Sequence, residues 1–103
     1  MSYAAIENQI IIWAQQRKII PNSTPETQLL KAMSELGELA DATIKKDNDA
    51  IVDAVGDVMV CLVNYCALQD ISLVECMEVA YDQIKNRRGT LLPNGLFVKS
   101  LGE

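Results

Sequence analysis

The sequence predicts an all-α fold, a four-helix bundle with a short C-terminal tail. Three observations carry this: apolar residues recur at helical spacing, cap signals punctuate them, and only short polar breaks separate the periodic stretches. At 103 residues the chain fits one domain with no room for a second core, so 1–103 is read as a single unit. Half of the residues are apolar, which is rich for so small a domain, because small folds hide a smaller fraction of their surface. Burial of the surplus against another copy resolves the mismatch, and a homo-oligomer is expected.

The first helix is expected from about Ser2 to Lys18, with Ile6, Ile10, Trp13 and Ala14 in helical register. Pro21-Asn22-Ser23 end the connection that follows. Thr24 has the pattern of an N-cap, with Pro25 at the first helical position and Glu26 in the first turn. This second helix runs to Lys45 or Lys46, where cations suit the negative end of the helix dipole. Asp47-Asn48-Asp49 is a polar break able to cap a third helix from about Asp49 to Gln69. Ser72 with Glu75 forms a capping-box pattern for a fourth, expected to end near Arg87-Arg88-Gly89. Asn94-Gly95 is a turn signal, so the tail is expected to form a loop or hairpin. Such short breaks favour antiparallel packing.

Composition excludes several functions. A net charge of −5 and an isoelectric point near 4.6 argue against a nucleic-acid polymer as main partner, since that requires a basic footprint. An acidic chain still binds a phosphorylated small molecule where metal ions carry the positive charge. The absence of histidine removes His-based catalysis and the common His-containing zinc sites. Cys61, Cys66 and Cys76 lie within apolar helical patterns and read as reduced thiols of a cytoplasmic protein. Met1-Ser2-Tyr3 carries no signal-peptide pattern, and the strongly apolar run Val58 to Val63 is too short to span a bilayer; no membrane partner is expected.

The third helix holds the main clue. It is apolar almost all round, yet Asp53, Asp57 and Asn64 interrupt it within roughly 40° on the helical wheel. A buried carboxylate is costly unless it is neutralised, paired or metal-bound. The second helix supplies Glu35 and Glu38, neighbours on one face, while Leu29, Met33, Leu36, Ala40 and Ile44 occupy a different flank. Antiparallel packing of the two helices lets the acidic pairs face each other. Oxygen-only ligands select Mg²⁺, or Mn²⁺, over zinc or copper, and Mg²⁺ on a few carboxylates takes phosphates as further ligands. The alternatives are solvated glutamates, and aspartates paired with Lys31, Lys45 or Arg17.

The segments Ser34-Glu35-Leu36-Gly37-Glu38-Leu39-Ala40-Asp41-Ala42 and Asp53-Ala54-Val55-Gly56-Asp57-Val58 resemble the MazG-like all-α nucleoside triphosphate pyrophosphohydrolases. That family carries Glu-x-x-Glu on one helix and Glu-x-x-Asp on the next, usually with Gly before the Asp. The likeness extends from Trp13 through the Lys99 region. It implies a dimer or a tetramer made of two dimers, Mg²⁺ dependence, and cleavage of a nucleoside triphosphate to monophosphate and pyrophosphate. It also implies Glu35, Glu38 and Asp57 as metal ligands, and Asn64 near metal or substrate. The sequence departs from the pattern at Ala54, where the family has Glu. Asp53, one residue earlier, still shares a face with Asp57 and is the candidate replacement ligand. Ser34 stands where many relatives have a second Glu.

Within that reading Glu35 or Glu38 orients or deprotonates the attacking water. Lys31, Arg87, Arg88 and Lys99 are candidates to hold phosphates, against a solvent-facing helix end for the arginine pair. Trp13 either stacks on a base or packs in the core with Ile6 and Ile10. The rival functions are a non-catalytic helical assembly module, and hydrolysis of another nucleotide-like or phosphoribosyl pyrophosphate.

Overall fold

The computed structural model describes residues 1–101. Its elements are α1 (Tyr3–Gln16), α2 (Ile19–Asn22), α3 (Pro25–Lys45), α4 (Asn48–Ala67), α5 (Leu73–Ile84), β1 (Gly89–Leu91) and β2 (Phe97–Lys99). The expected four long helices are present, and the caps explain where they begin. The hydroxyls of Thr24 and Ser72 accept from the backbone N–H groups of Thr27 and Glu75, and an Asp47 carboxylate oxygen accepts from Ala50 N–H. At the other end of α3, Lys46 adopts a left-handed conformation that stops the helix.

Two boundaries differ from the sequence reading. A single turn, α2, follows α1; its Ile20 is extended rather than helical, as the residue before Pro21 tends to be, and the Ile20–Pro21 peptide is cis. α5 stops at Ile84, short of Arg87-Arg88-Gly89, because Gly89 opens a strand instead of closing a helix. A side chain at Gly89 would overlap the Val98 carbonyl and the Phe97 ring. Strands β1 and β2 pair antiparallel with Thr90 opposite Val98. The turn between them uses Gly95 at φ 91°, and the Asn94 side chain accepts from Leu96 N–H.

α3 and α4 form an antiparallel pair that dominates the packing; α1 and α5 cover another side of α4 and touch each other. Glu7 of α1 ties this second layer together. Its carboxylate accepts from the Ser72 hydroxyl at 2.9 and 3.2 Å and from Val74 N–H at 3.1 Å, so one side chain caps the start of α5 from a neighbouring helix.

The bundle is open. No large side chain is fully buried among the described residues, and the radius of gyration is 16.4 Å against about 13 Å for a compact chain of this length. The apolar flank of α3, including Leu29, Met33, Leu36 and Ile44, faces outward; Leu30 is 66% and Val52 of α4 74% exposed. α4 taken whole is long and apolar enough to cross a bilayer, which the run Val58 to Val63 alone does not reveal. It is instead the helix on which α1, α3 and α5 all pack. Its Asp53 and Asp57 would each cost about 3 kcal/mol near a membrane centre.

Replacing Ser72 with Ala removes both the N-cap and a hydrogen bond to Glu7. Urea denaturation is expected to show a loss of about 1–2 kcal/mol, with helix content retained below the transition.

Candidate metal centre

Two heptad stripes build the site. On α3, Gln28, Ala32, Glu35, Leu39 and Ala42 recur in steps of four and three; on α4, Ala50, Ala54, Asp57, Cys61 and Asn64 do the same. All ten are buried or half-buried, and the five small alanine or cysteine side chains let the helices approach closely. The short Lys46–Asp47 connection sets the stripes antiparallel, which brings Glu35 level with Asp57 and Gln28 level with Asn64. The electrostatics carry the same register: the Glu35 charge raises Asp57, and the Lys31 charge acts on Cys61.

Two carboxylates, Glu35 and Asp57, therefore face each other on this seam, with Glu38 exposed beside Glu35. A hydrogen bond that a protonated Glu38 can donate to the Glu35 carboxylate, followed by the Glu35 charge, raises the Glu38 pKa. Burial is the largest cause of the raised Asp57 pKa, with Asp53 and Glu35 adding to it. The one cation among them is Lys31, whose ammonium lies 3.6 Å from Glu35 Oε1. The second oxygen, Glu35 Oε2, is buried without a hydrogen-bond partner on a side chain only 13% exposed. Negative charge at this point exceeds what the protein neutralises.

The donor set fits a hard divalent cation: carboxylate oxygens only, one of them buried and unpartnered. Among the described residues, however, no three acidic or thiol side chains close on a single point. Such a partial set suits Mg²⁺, which keeps waters and accepts phosphate oxygens. Glu35, Glu38 and Asp57 would hold it.

Asp53 stands apart from the three. It is exposed on the rim of α4, where its charge reaches Asp57. Ala54 is the residue on the seam, 4% exposed. A carboxylate at 54 would enter the seam; the one at 53 is turned about 100° away.

The other candidates separate clearly. Lys31 is at the carboxylates. Trp13 is 40% exposed rather than in the core; with Gln9, Ile10, Val60 and Asp57 it lines a groove of about 400 Å³, and the Arg17 guanidinium lies 4.7 Å from its ring centroid. An aromatic face and a site carboxylate thus share one cleft. Asn64 is 3% exposed with Oδ1 unpartnered, about 10 Å along α4 from Asp57. Arg87 and Lys99 are not brought to the carboxylates: the hairpin touches no helix among the described residues, and neither side chain is among the charges acting on Glu38 or Asp57. Arg88, beside Arg87, also lies outside the cluster, and its carbonyl accepts from Ser100 N–H.

Cys61 was read only as a core thiol. It is buried, and burial pushes its pKa up, while the charges of Lys31, Glu35 and Asp57 also act on it. The signal for this was its position one turn beyond Asp57. Gln28 gave a weaker signal, a polar residue on the seam stripe; its side-chain N–H donates to the Ser23 hydroxyl at 3.1 Å.

Comparisons with known proteins identify the family. The family model described as "MazG nucleotide pyrophosphohydrolase domain" matches residues 23–91, a span that includes both seam helices. A relative, described as an uncharacterised 18.2 kDa protein in the rep–hol intergenic region of Haemophilus phage HP1 (strain HP1c1), is 41% identical over 51 residues. The alignment covers 50% of this chain and 31% of that protein, so the chain matches under a third of its relative's length. No solved structure matches the chain.

The raised pKa of Glu38 has a consequence for stability. A carboxylate whose folded pKa lies above its unfolded value costs stability while ionised, and the cost vanishes as pH falls through those values. In metal-free buffer Glu38→Gln is therefore expected to melt above the wild type at neutral pH. The difference should shrink toward pH 4.5, the ordinary value for this group; thermal scans across that range check it.

Proposed function

The chain belongs to the MazG nucleotide pyrophosphohydrolase family, and from that premise we propose that it hydrolyses a nucleoside triphosphate to the monophosphate and pyrophosphate in a Mg²⁺-dependent reaction, with Mn²⁺ as a substitute. The observation that supports this reading is Glu35 facing Asp57 across the α3–α4 seam, with Glu38 beside Glu35 and Lys31 the one cation acting on them among the described residues. Bound there, the metal supplies positive charge against the carboxylates and the triphosphate.

The chain's own residues supply the rest. Glu35 and Asp57 face each other across the seam and hold the ligand oxygens in place. Glu38 already carries a raised pKa beside Glu35, which suits it to accept a proton from the attacking water. Water adds to the α-phosphorus, the α–β anhydride bond breaks, and pyrophosphate leaves with the electron pair. Lys31, 61% exposed along its side chain, is free to swing toward the phosphates. Trp13 offers the base a stacking surface in the groove it shares with Asp57. Asp53 assists from the rim through its charge. The reading includes a homo-oligomer, supported by the uncovered apolar flanks of α3 and α4, and a cytoplasmic location, where nucleotides are abundant.

A second reading, an assembly module that keeps the seam without turnover, is favoured by Ala54 and by the lack of a closed ligand cage among the described residues. Calorimetry separates the two, since a module shows no Mg²⁺-linked nucleotide binding. Trp13 is the only tryptophan, so its fluorescence should also change when nucleotide is added with Mg²⁺ and not after chelation.

Pyrophosphate release from standard and modified nucleoside triphosphates tests the enzyme directly. Glu38→Ala or Asp57→Ala is expected to lower turnover by at least about a hundredfold with helicity unchanged. No release from any of these, or from phosphoribosyl pyrophosphates, by a folded protein rejects the activity. Ala54→Glu is expected to tighten Mg²⁺ binding; unchanged affinity would show that position 54 does not reach the metal.

A further inference from the structure

A second pair of reactive side chains meets on the far side of α4 from the carboxylate seam. Cys66 stands two positions after Asn64, about 200° round the helix, and Cys76 lies near the start of α5. Both are free thiols in the structure. We propose that Cys66 and Cys76 form a reversible disulfide, a covalent staple across the α4–α5 corner that is made by exchange with small-molecule disulfides and undone by dithiols. Neither thiol belongs to the carboxylate site, and the pairing does not depend on the function proposed above.

The corner itself brings the two residues together. The Cys66 carbonyl accepts from the N–H groups of Gln69 and Ile71 at 3.0 and 2.9 Å, so the chain pivots about that residue. Asp70 takes a left-handed conformation at φ 59° that turns the backbone toward α5. Ser72 then caps α5, and the Cys76 N–H donates to the Ser72 carbonyl at 3.0 Å. Cys76 is therefore one turn beyond a cap that directly follows the residue bonded to Cys66. Glu7 closes the arrangement from α1. Its carboxylate accepts from the Ser72 hydroxyl and Val74 N–H, and the same charge acts on Cys66. The thiols complete it, since the Cys66 S–H can donate to the Cys76 sulfur. Cys61 does not compete for Cys66, because five positions apart on one helix the two side chains diverge by about 140°.

Exposure gives the two sulfurs different parts. Cys76 is exposed, whereas Cys66 is 6% exposed. Burial first, and then the neighbouring Cys76, pushes the Cys66 thiol up to about 11, which makes it a poor first nucleophile. The Cys76 thiolate attacks one sulfur of the small disulfide. A new S–S bond forms, the old one breaks, and a small thiolate leaves with the electron pair and takes up the proton that Cys76 lost. The Cys66 sulfur then attacks Cys76 and displaces the second small thiolate, which takes up the Cys66 proton. Two protein thiols are oxidised to one disulfide, and the small disulfide is reduced to two thiols. The bond ties α5 to the helix on which α1, α3 and α5 all pack.

Incubation of the full chain with glutathione disulfide tests the pairing. Free thiols are trapped by alkylation in denaturant, and chymotryptic peptides are mapped; Tyr65 and Leu68 offer cleavage points between the three cysteines. The expected product is a Cys66–Cys76 disulfide within one chain, with Cys61 alkylated and dithiothreitol restoring the other two thiols. The oxidised chain should melt roughly 5–10 °C above the reduced one, because the cross-link restricts the unfolded ensemble. Cys76→Ser changes an exposed side chain, so circular dichroism should match the wild type; this variant should leave Cys66 alkylated and abolish the rise in melting temperature. A chain that keeps all three thiols overturns the proposal. So does a glutathione adduct that stays on Cys76 while Cys66 remains free, or a bond between the Cys76 residues of two chains. A Cys66–Cys76 bond that lowers the melting temperature also overturns it, because the corner would then have to be forced to make it.

Discussion

The antiparallel seam between α3 and α4 is the constraint on which the rest of the molecule depends. Alanine and cysteine at half of its positions allow the two helices to lie close, and two polar levels, Glu35 with Asp57 and Gln28 with Asn64, interrupt the small side chains. Polar residues in such a stripe are a costly way to build a core, because each must find a partner or lose its hydration. They also fix register, since sliding one helix along the other would set carboxylate against alanine. The same residues thus hold the helices in one alignment and form the acidic centre.

That arrangement gives the seam to polar and small side chains and leaves the greasy flanks of both helices outside. Leu30, Met33 and Leu36 would ordinarily face a core; here the acidic stripe takes the inner position and the apolar flank turns to solvent. The open shape, the lack of any large fully buried side chain and the uncovered hairpin are consequences of that choice. A chain this rich in apolar residues needs cover for them, and further copies of itself are the simplest source.

Much of the site was legible because spacing on a helix is geometry. Glu35 and Glu38 had to be neighbours, and an aspartate inside an apolar helix had to be explained. Asp53 shows where that logic ends. A wheel placed it within 40° of Asp57, which is close enough to share a face but too coarse to distinguish the seam from its rim. Packing against α3 makes that distinction, and it selects the stripe containing Ala54. The two readings of Trp13 could not be separated for a related reason: its register with Ile6 and Ile10 places it on α1, but which part of α1 meets α4 is not a local property. The result is a ring in a groove beside Asp57, half open to solvent.

By itself, the sequence determined the helices, their caps, the turn at Asn94-Gly95 and the identity of the acidic pairs, because hydrogen bonding at helix ends and side-chain periodicity act over a few residues. It also carried the family to which the chain belongs. Only the tertiary structure decided which flank of α3 faces inward, that Asp53 lies on the rim, that Cys61 is buried on the seam one turn beyond Asp57, and that Arg87 and Lys99 stand away from the carboxylates. Those outcomes depend on contacts between distant segments, where close packing and the desolvation of charge are settled jointly. Of the acidic residues named from spacing, Glu35 and Asp57 face each other across the seam, while Glu38 and Asp53 lie exposed beside them.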